Sequence, residues 1–120
     1  MRVCGLRGAT CLEHDDPQEM TNAVGELLGE MLRRNGVTEA DVVSVFLTCT
    51  PDLTSAFPAA GARAFGLVHT PLMCAQEMDV RGALPRVVRI MAHVETDLER
   101  SAVEHVYLRG AEVLRQDLQP

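Results

Sequence analysis

Arg86-Val-Val-Arg-Ile-Met-Ala-His-Val-Glu95 is the stretch on which the fold turns. Its apolar content suits a helix or a strand, but Val87, Val88, Ile90 and Val94 are β-branched and favour a strand. Alternation then puts Val88, Ile90, Ala92 and Val94 toward a core. Val87, Arg89, Met91 and His93 share the opposite face, so one arginine interrupts an otherwise apolar strand.

Working outward, Val42 to Cys49 is a continuous apolar run that reads as a buried strand, and Leu72 to Ala75 reads as another. Residues 2–9 form a first strand, and His105 to Leu108 a short one. Asp16-Pro17 opens a helix with an N-cap aspartate and a proline at the first helical position. Met20, Val24, Leu27, Leu28, Met31 and Leu32 recur at helical spacing, and Arg33, Arg34 and Gly36 close the helix. Thr38 and Asp41 resemble a capping box around a single turn. Pro51-Asp52 is a turn, and Phe57 to Phe65 a short helix. The expectation is an α+β chain, a mixed sheet with one long helix and short helices, in a single domain over residues 1–120. One long helix cannot cover both faces of such a sheet, so apolar surface is left over, which points to self-association.

Hydrophobic residues make up 47% of the chain but aromatics only 3%, so the core must be aliphatic. A net charge of −6 and few aromatics argue against nucleic-acid binding, which needs phosphate neutralisation or base stacking. All eleven basic residues are arginine, which excludes lysine Schiff bases and leaves guanidinium as the anion ligand. Cys4, Cys11, Cys49 and Cys74 form no Cys-x-x-Cys pair, and reduced thiols in the cytoplasm are expected. No leader and no membrane-spanning run is expected.

His14, His69, His93 and His105 lack ligand spacing, so no metal is expected. No serine lies in a nucleophile-elbow motif, Cys74 lacks an evident base, and no glycine-rich phosphate loop is present. No cofactor is expected. What remains is Arg7, Arg63, Arg89 and Arg115 in apolar surroundings, with Tyr107 and with Glu77 in Cys74-Ala-Gln-Glu-Met-Asp-Val80. A carboxylate delivered by such an apolar run is expected to be partly buried. That is costly unless it is paired or hydrogen-bonded. Together these groups outline a site for a small polyanion. The alternative is that Arg89 and Glu77 merely pair across the core.

Five ordered segments carry a resemblance: Arg7-Gly-Ala-Thr10; Thr50-Pro-Asp-Leu53 with Phe57-Pro-Ala59; Cys74 to Val80; His105-Val-Tyr-Leu108; and Val113-Leu-Arg-Gln-Asp-Leu118. Across its length the chain resembles the monofunctional chorismate mutases of the AroH class. The resemblance implies a homotrimeric pseudo-α/β barrel, a scaffold shared with RidA-like proteins, with active sites between subunits. It implies the rearrangement of chorismate to prephenate, a [3,3]-sigmatropic step in aromatic amino acid biosynthesis that needs neither nucleophile nor metal.

In that scheme Arg89 faces the breaking ether oxygen, Arg7 and Tyr107 hold substrate carboxylates, and Glu77 accepts from the ring hydroxyl. Cys74 lines the site, Phe57, Ala59 and Leu114 supply apolar wall, and Arg63 and Arg115 guard the mouth. Ala60 stands where many relatives carry a basic residue, which removes a charged lid there. The alternatives are a RidA-like imine or enamine deaminase on the same scaffold and a non-catalytic trimer that binds a small carboxylate.

Overall fold

Alternation along the chain builds one five-stranded sheet. The computed structural model describes residues 1–118. Its strands are β1 (Arg2–Cys11), β2 (Val42–Cys49), β3 (Leu72–Gln76), β4 (Val87–Thr96) and β5 (Val106–Tyr107). Their spatial order is β3-β2-β4-β1-β5. β4 pairs antiparallel with both β1 and β2, while β3 and β5 add in parallel at the two edges. The 86–95 stretch is therefore the central strand. It starts at Val87 rather than Arg86, because Arg86 takes φ 51 and its N–H turns to the Asp52 carboxylate.

Two helices, α1 (Pro17–Arg34) and α2 (Pro58–Phe65), accompany the sheet. Local signals set α1 as expected. The Asp16 carboxylate accepts from the Glu19 N–H at 2.9 Å, Pro17 opens the first turn, and Gly36 follows the end at φ 64. Met20, Val24, Leu27, Leu28 and Met31 are fully buried, and they meet Leu6, Val45, Leu47, Val88, Ile90, Ala92 and Val94 of the sheet. The two helices approach closely at Gly61, which packs on Val24 and Thr21 of α1, and a Cβ there would lie 2.8 Å from Val24 Cβ. The capping box at Thr38 and Asp41 forms around a 3₁₀ turn, Glu39–Asp41.

The chain beyond β4 departs most from expectation. Strand β5 spans two residues rather than four, because at the Arg7 end the ladder acceptor is the His105 ring. The following stretch is a 3₁₀ helix, Ala111–Leu118. Leu114 joins Tyr107, Cys11 and Leu84 around a small second cluster of Ala9, Val87 and Ala111 on the face away from α1. Val87 thus lies on the face expected of it, but buried.

Much of the rest of that second face stays open, with exposed apolar side chains among polar ones. Val3 is 59% exposed, Phe46 46% and Met73 61%. They stand on β1, β2 and β3 in register with the side chains around Met91. No helix among the described residues is long and apolar enough to cross a membrane.

Candidate active site

Strand parity brings four of the expected groups together. Arg7 and Arg89 share the open face because Arg7 pairs with Met91 and Ala9 with Arg89 across β1 and β4. Tyr107 joins them because β5 pairs it with Ala9. Glu77 follows the last residue of β3, and its N–H donates to the Cys49 carbonyl at 2.8 Å, which carries the β2–β3 ladder one step further. Arg7, Glu77, Arg89 and Tyr107 line one cavity of ≈ 240 Å³ with Gly8, Ala9, Phe46, Thr48, Ile90 and Met91.

The pairing inside it is loose. Arg89 Nε lies 3.7 Å from Glu77 Oε2, beyond hydrogen-bond range, with the side chains 50% and 27% exposed. This is not an ion pair closed across a core. It is a half-open arrangement in which both groups keep hydrogen-bonding capacity for a ligand. The Thr48 hydroxyl donates to the same Oε2 at 2.5 Å. The Arg7 backbone N–H donates to His105 Nδ1 at 3.0 Å, so that nitrogen carries a lone pair and ties the start of β5 to the strand that bears Arg7.

The remaining expected residues lie elsewhere in the same chain. Phe57 caps α2 and projects outward, 73% exposed. Arg63 is exposed in the last turn of that helix, and Ala59 is buried in its own chain's core. Cys74 faces the helix side of the sheet rather than the Arg89 side. With Phe57 and Cys49 it lines a larger cavity of ≈ 470 Å³. Leu114 sits beside Tyr107 in the second cluster. The Arg115 side chain lies outside the described residues.

The larger cavity lacks the charged groups of the smaller one. The Cys49 thiol in its wall is pushed up to about 12, chiefly by burial and then by nearby Cys74, Asp15, Asp52 and Glu77. It stays protonated and is a poor nucleophile. Burial likewise raises the Cys11 thiol, with Glu112 adding to the shift. No cluster of metal-ligating side chains is found among the described residues.

Among the polar groups in and beside the site, Thr48 and His105 escaped the sequence reading of roles. Thr48 lay inside a run read as uniformly buried, although Ser44 and Thr48 are polar at even spacing and mark a solvent-facing side. His105 had no signal, since its partner is a backbone group set by strand register.

The loop that leads to Phe57 is fixed by carboxylates. Asp15 accepts from the N–H groups of Thr54 and Ser55 at 3.0–3.1 Å and from the Thr54 hydroxyl at 3.0 Å. These bonds, that from the Thr54 N–H foremost, hold the Asp15 carboxyl below its ordinary range. Asp52 accepts from the Thr50 hydroxyl and the Arg86 N–H.

Comparison with known proteins bears on the family and the fold. Residues 3–118 match the family described as chorismate mutase type I. The chain is 47% identical over 118 residues to chorismate mutase AroH of Thermus thermophilus, covering 98% of this chain and 97% of that protein. It is 40% identical over 119 residues to chorismate mutase AroH of Bacillus subtilis, covering 98% and 94%. Its fold superposes on a chorismate mutase from Clostridium thermocellum with a TM-score of 0.89 at 43% identity, covering 92% of this chain and 98% of that one. With a family match over nearly its whole length and an arginine-lined cavity on its sheet, the chain belongs to the type I, AroH-type chorismate mutases.

Proposed function

We propose that this enzyme converts chorismate to prephenate in the cavity of Arg7, Glu77, Arg89 and Tyr107, and that a second copy of the chain completes the site. The observation that carries the placement is the convergence of two guanidinium groups, a carboxylate and a phenol from separate segments on one cavity. The rearrangement breaks a C–O bond and makes a C–C bond within one dianion, with no proton transfer. Catalysis then has two tasks: to hold the folded conformer, and to stabilise charge growing on the ether oxygen. A gain of ~10⁶ corresponds to about 8 kcal/mol of preference for the transition state.

Arg89, always charged and planar, serves the ether oxygen and a carboxylate. Arg7 and Tyr107 hold carboxylate oxygens, and Glu77 accepts from the ring hydroxyl and offsets the positive charge. At ≈ 240 Å³ the cavity falls below the usual ligand-site range of roughly 300–1,000 Å³, which supports completion by another chain. The groups to supply are those that lie outside this cavity in a single chain: Phe57, Cys74, Arg63 and the turn at Ala59. The apolar face of Val3, Phe46 and Met73 would be covered in the same assembly, a homotrimer of single-domain chains working in the cytoplasm. Leu114, beside Tyr107, would add apolar wall on the near side.

The test is to add chorismate to purified protein, follow its loss, and identify prephenate by acid conversion to phenylpyruvate, with mass measured by light scattering. Turnover by a trimer is expected. Full turnover by a monomer would overturn the shared site. Release of ammonia from imino acids, with chorismate untouched, would instead select the RidA-like reading, and tight chorismate binding without turnover the carboxylate-binding one.

A further inference from the structure

Glu77 stands between two needs. Its carboxylate must stay near Arg89 to offset charge, yet a glutamate beside a guanidinium tends to close into a bidentate pair, which would occupy the donors the substrate requires. The structure holds it short of that closure, with Arg89 Nε 3.7 Å from Oε2. The Thr48 hydroxyl donates to that same oxygen at 2.5 Å.

Thr48 is fixed from the backbone outward. It pairs directly with Arg89 across β2 and β4, and the next residue, Cys49, receives the Glu77 N–H at 2.8 Å. The acid is thus tethered at its backbone and at its tip by consecutive residues of one strand. Threonine is stiff at χ1, so the hydroxyl direction is set by the strand itself. Both described interactions of the carboxylate fall on Oε2, which leaves Oε1 with no hydrogen bond among the described residues.

Resting on the placement of the reaction in this cavity, we propose that Thr48 is a positioning residue for it. Its hydroxyl turns the Glu77 carboxylate away from Arg89 so that Oε1 is left to accept from the substrate's ring hydroxyl and the guanidinium keeps its donors for the substrate's oxygens. Having given its one proton to Glu77, the Thr48 oxygen retains only acceptor capacity.

The test compares Thr48→Val, which keeps shape and removes the hydroxyl, with Thr48→Ser, which keeps the hydroxyl, each in the natural chain and with Glu77→Ala. Thr48→Val is expected to lower kcat/KM roughly tenfold or more, the size of a lost hydrogen bond to a charged group. Thr48→Ser restores most of that loss, and with Glu77→Ala the valine change costs nothing further. Where turnover with Glu77→Ala sinks to the uncatalysed rate, the affinity for prephenate, read by calorimetry, carries the same comparison. Equal activity of Thr48→Val and the natural chain would overturn the proposal. So would an equal loss with and without Glu77, which is what a purely structural threonine gives. Full activity of Glu77→Ala would instead overturn the placement of the reaction in this cavity.

Discussion

Arg89 is the side chain on which the proposed chemistry concentrates, and its surroundings state what a substitution must do. Half exposed and 3.7 Å from Glu77, it is held by no closed ion pair, so its replacement leaves no buried charge stranded. Arg89→Lys is therefore expected to fold normally and to lose roughly 10²–10³ in kcat, as when one preorganised donor is removed, with a smaller change in KM. Steady-state kinetics at saturating chorismate checks this, and unchanged turnover would remove Arg89 from its role. At this scale the sequence revealed the residue types well. Arginine in an apolar strand and a glutamate at the end of one are conspicuous because each is costly unless it has a use. Thr48 and His105 were not legible, because a hydroxyl and an imidazole are unremarkable until register shows what stands opposite them.

Single elements carry two further expectations. Gly61 lets α1 and α2 touch, and an alanine there would press its Cβ to 2.8 Å of Val24 Cβ and 3.2 Å of Thr21 Cα, the latter backbone. Gly61→Ala should cost about 1–3 kcal/mol in urea unfolding. The loop that presents Phe57 depends on Asp15, whose carboxyl is lowered from 3.8 by the N–H and hydroxyl donors of Thr54 and Ser55. A lowered carboxyl adds stability that is complete above its unfolded value and is lost as pH falls through the native one. Asp15→Ala should therefore speed amide exchange at Thr54 and Ser55 near neutral pH and leave α1 protected. In the natural chain the same loosening appears only under acid, below the ordinary aspartate range. Helix α1 was legible from end to end because its cap, proline, period and stop are local. The 3₁₀ helix Ala111–Leu118 was not, because packing of Leu114 beside Tyr107 and the Val87 cluster holds it in place, not spacing along the chain.

At the scale of the whole molecule the expected site residues divide between two cavities of one chain: Arg7, Glu77, Arg89 and Tyr107 line one, and Phe57 and Cys74 the other. If neighbouring copies join these halves, Arg89→Ala and Arg63→Ala chains, each nearly inactive, should regain activity when mixed after unfolding and refolded together. Random assembly gives roughly a quarter of the sites both natural halves. Recovery is read as kcat per site, and a mixture no more active than its parts would place Arg63 and Arg89 in the same chain's site or Arg63 in none. The sequence by itself determined the chemistry available, arginine, glutamate and tyrosine with no lysine, and the elements dictated by local rules, since composition, caps and periodicity act between near neighbours. Only the tertiary structure decided which of these groups meet. Strand order and register bring positions as distant as Arg7 and Tyr107 onto one cavity, turn Cys74 to the opposite face and set Thr48 against Glu77. Those outcomes follow from side-chain packing across the whole sheet, which no window of the sequence contains.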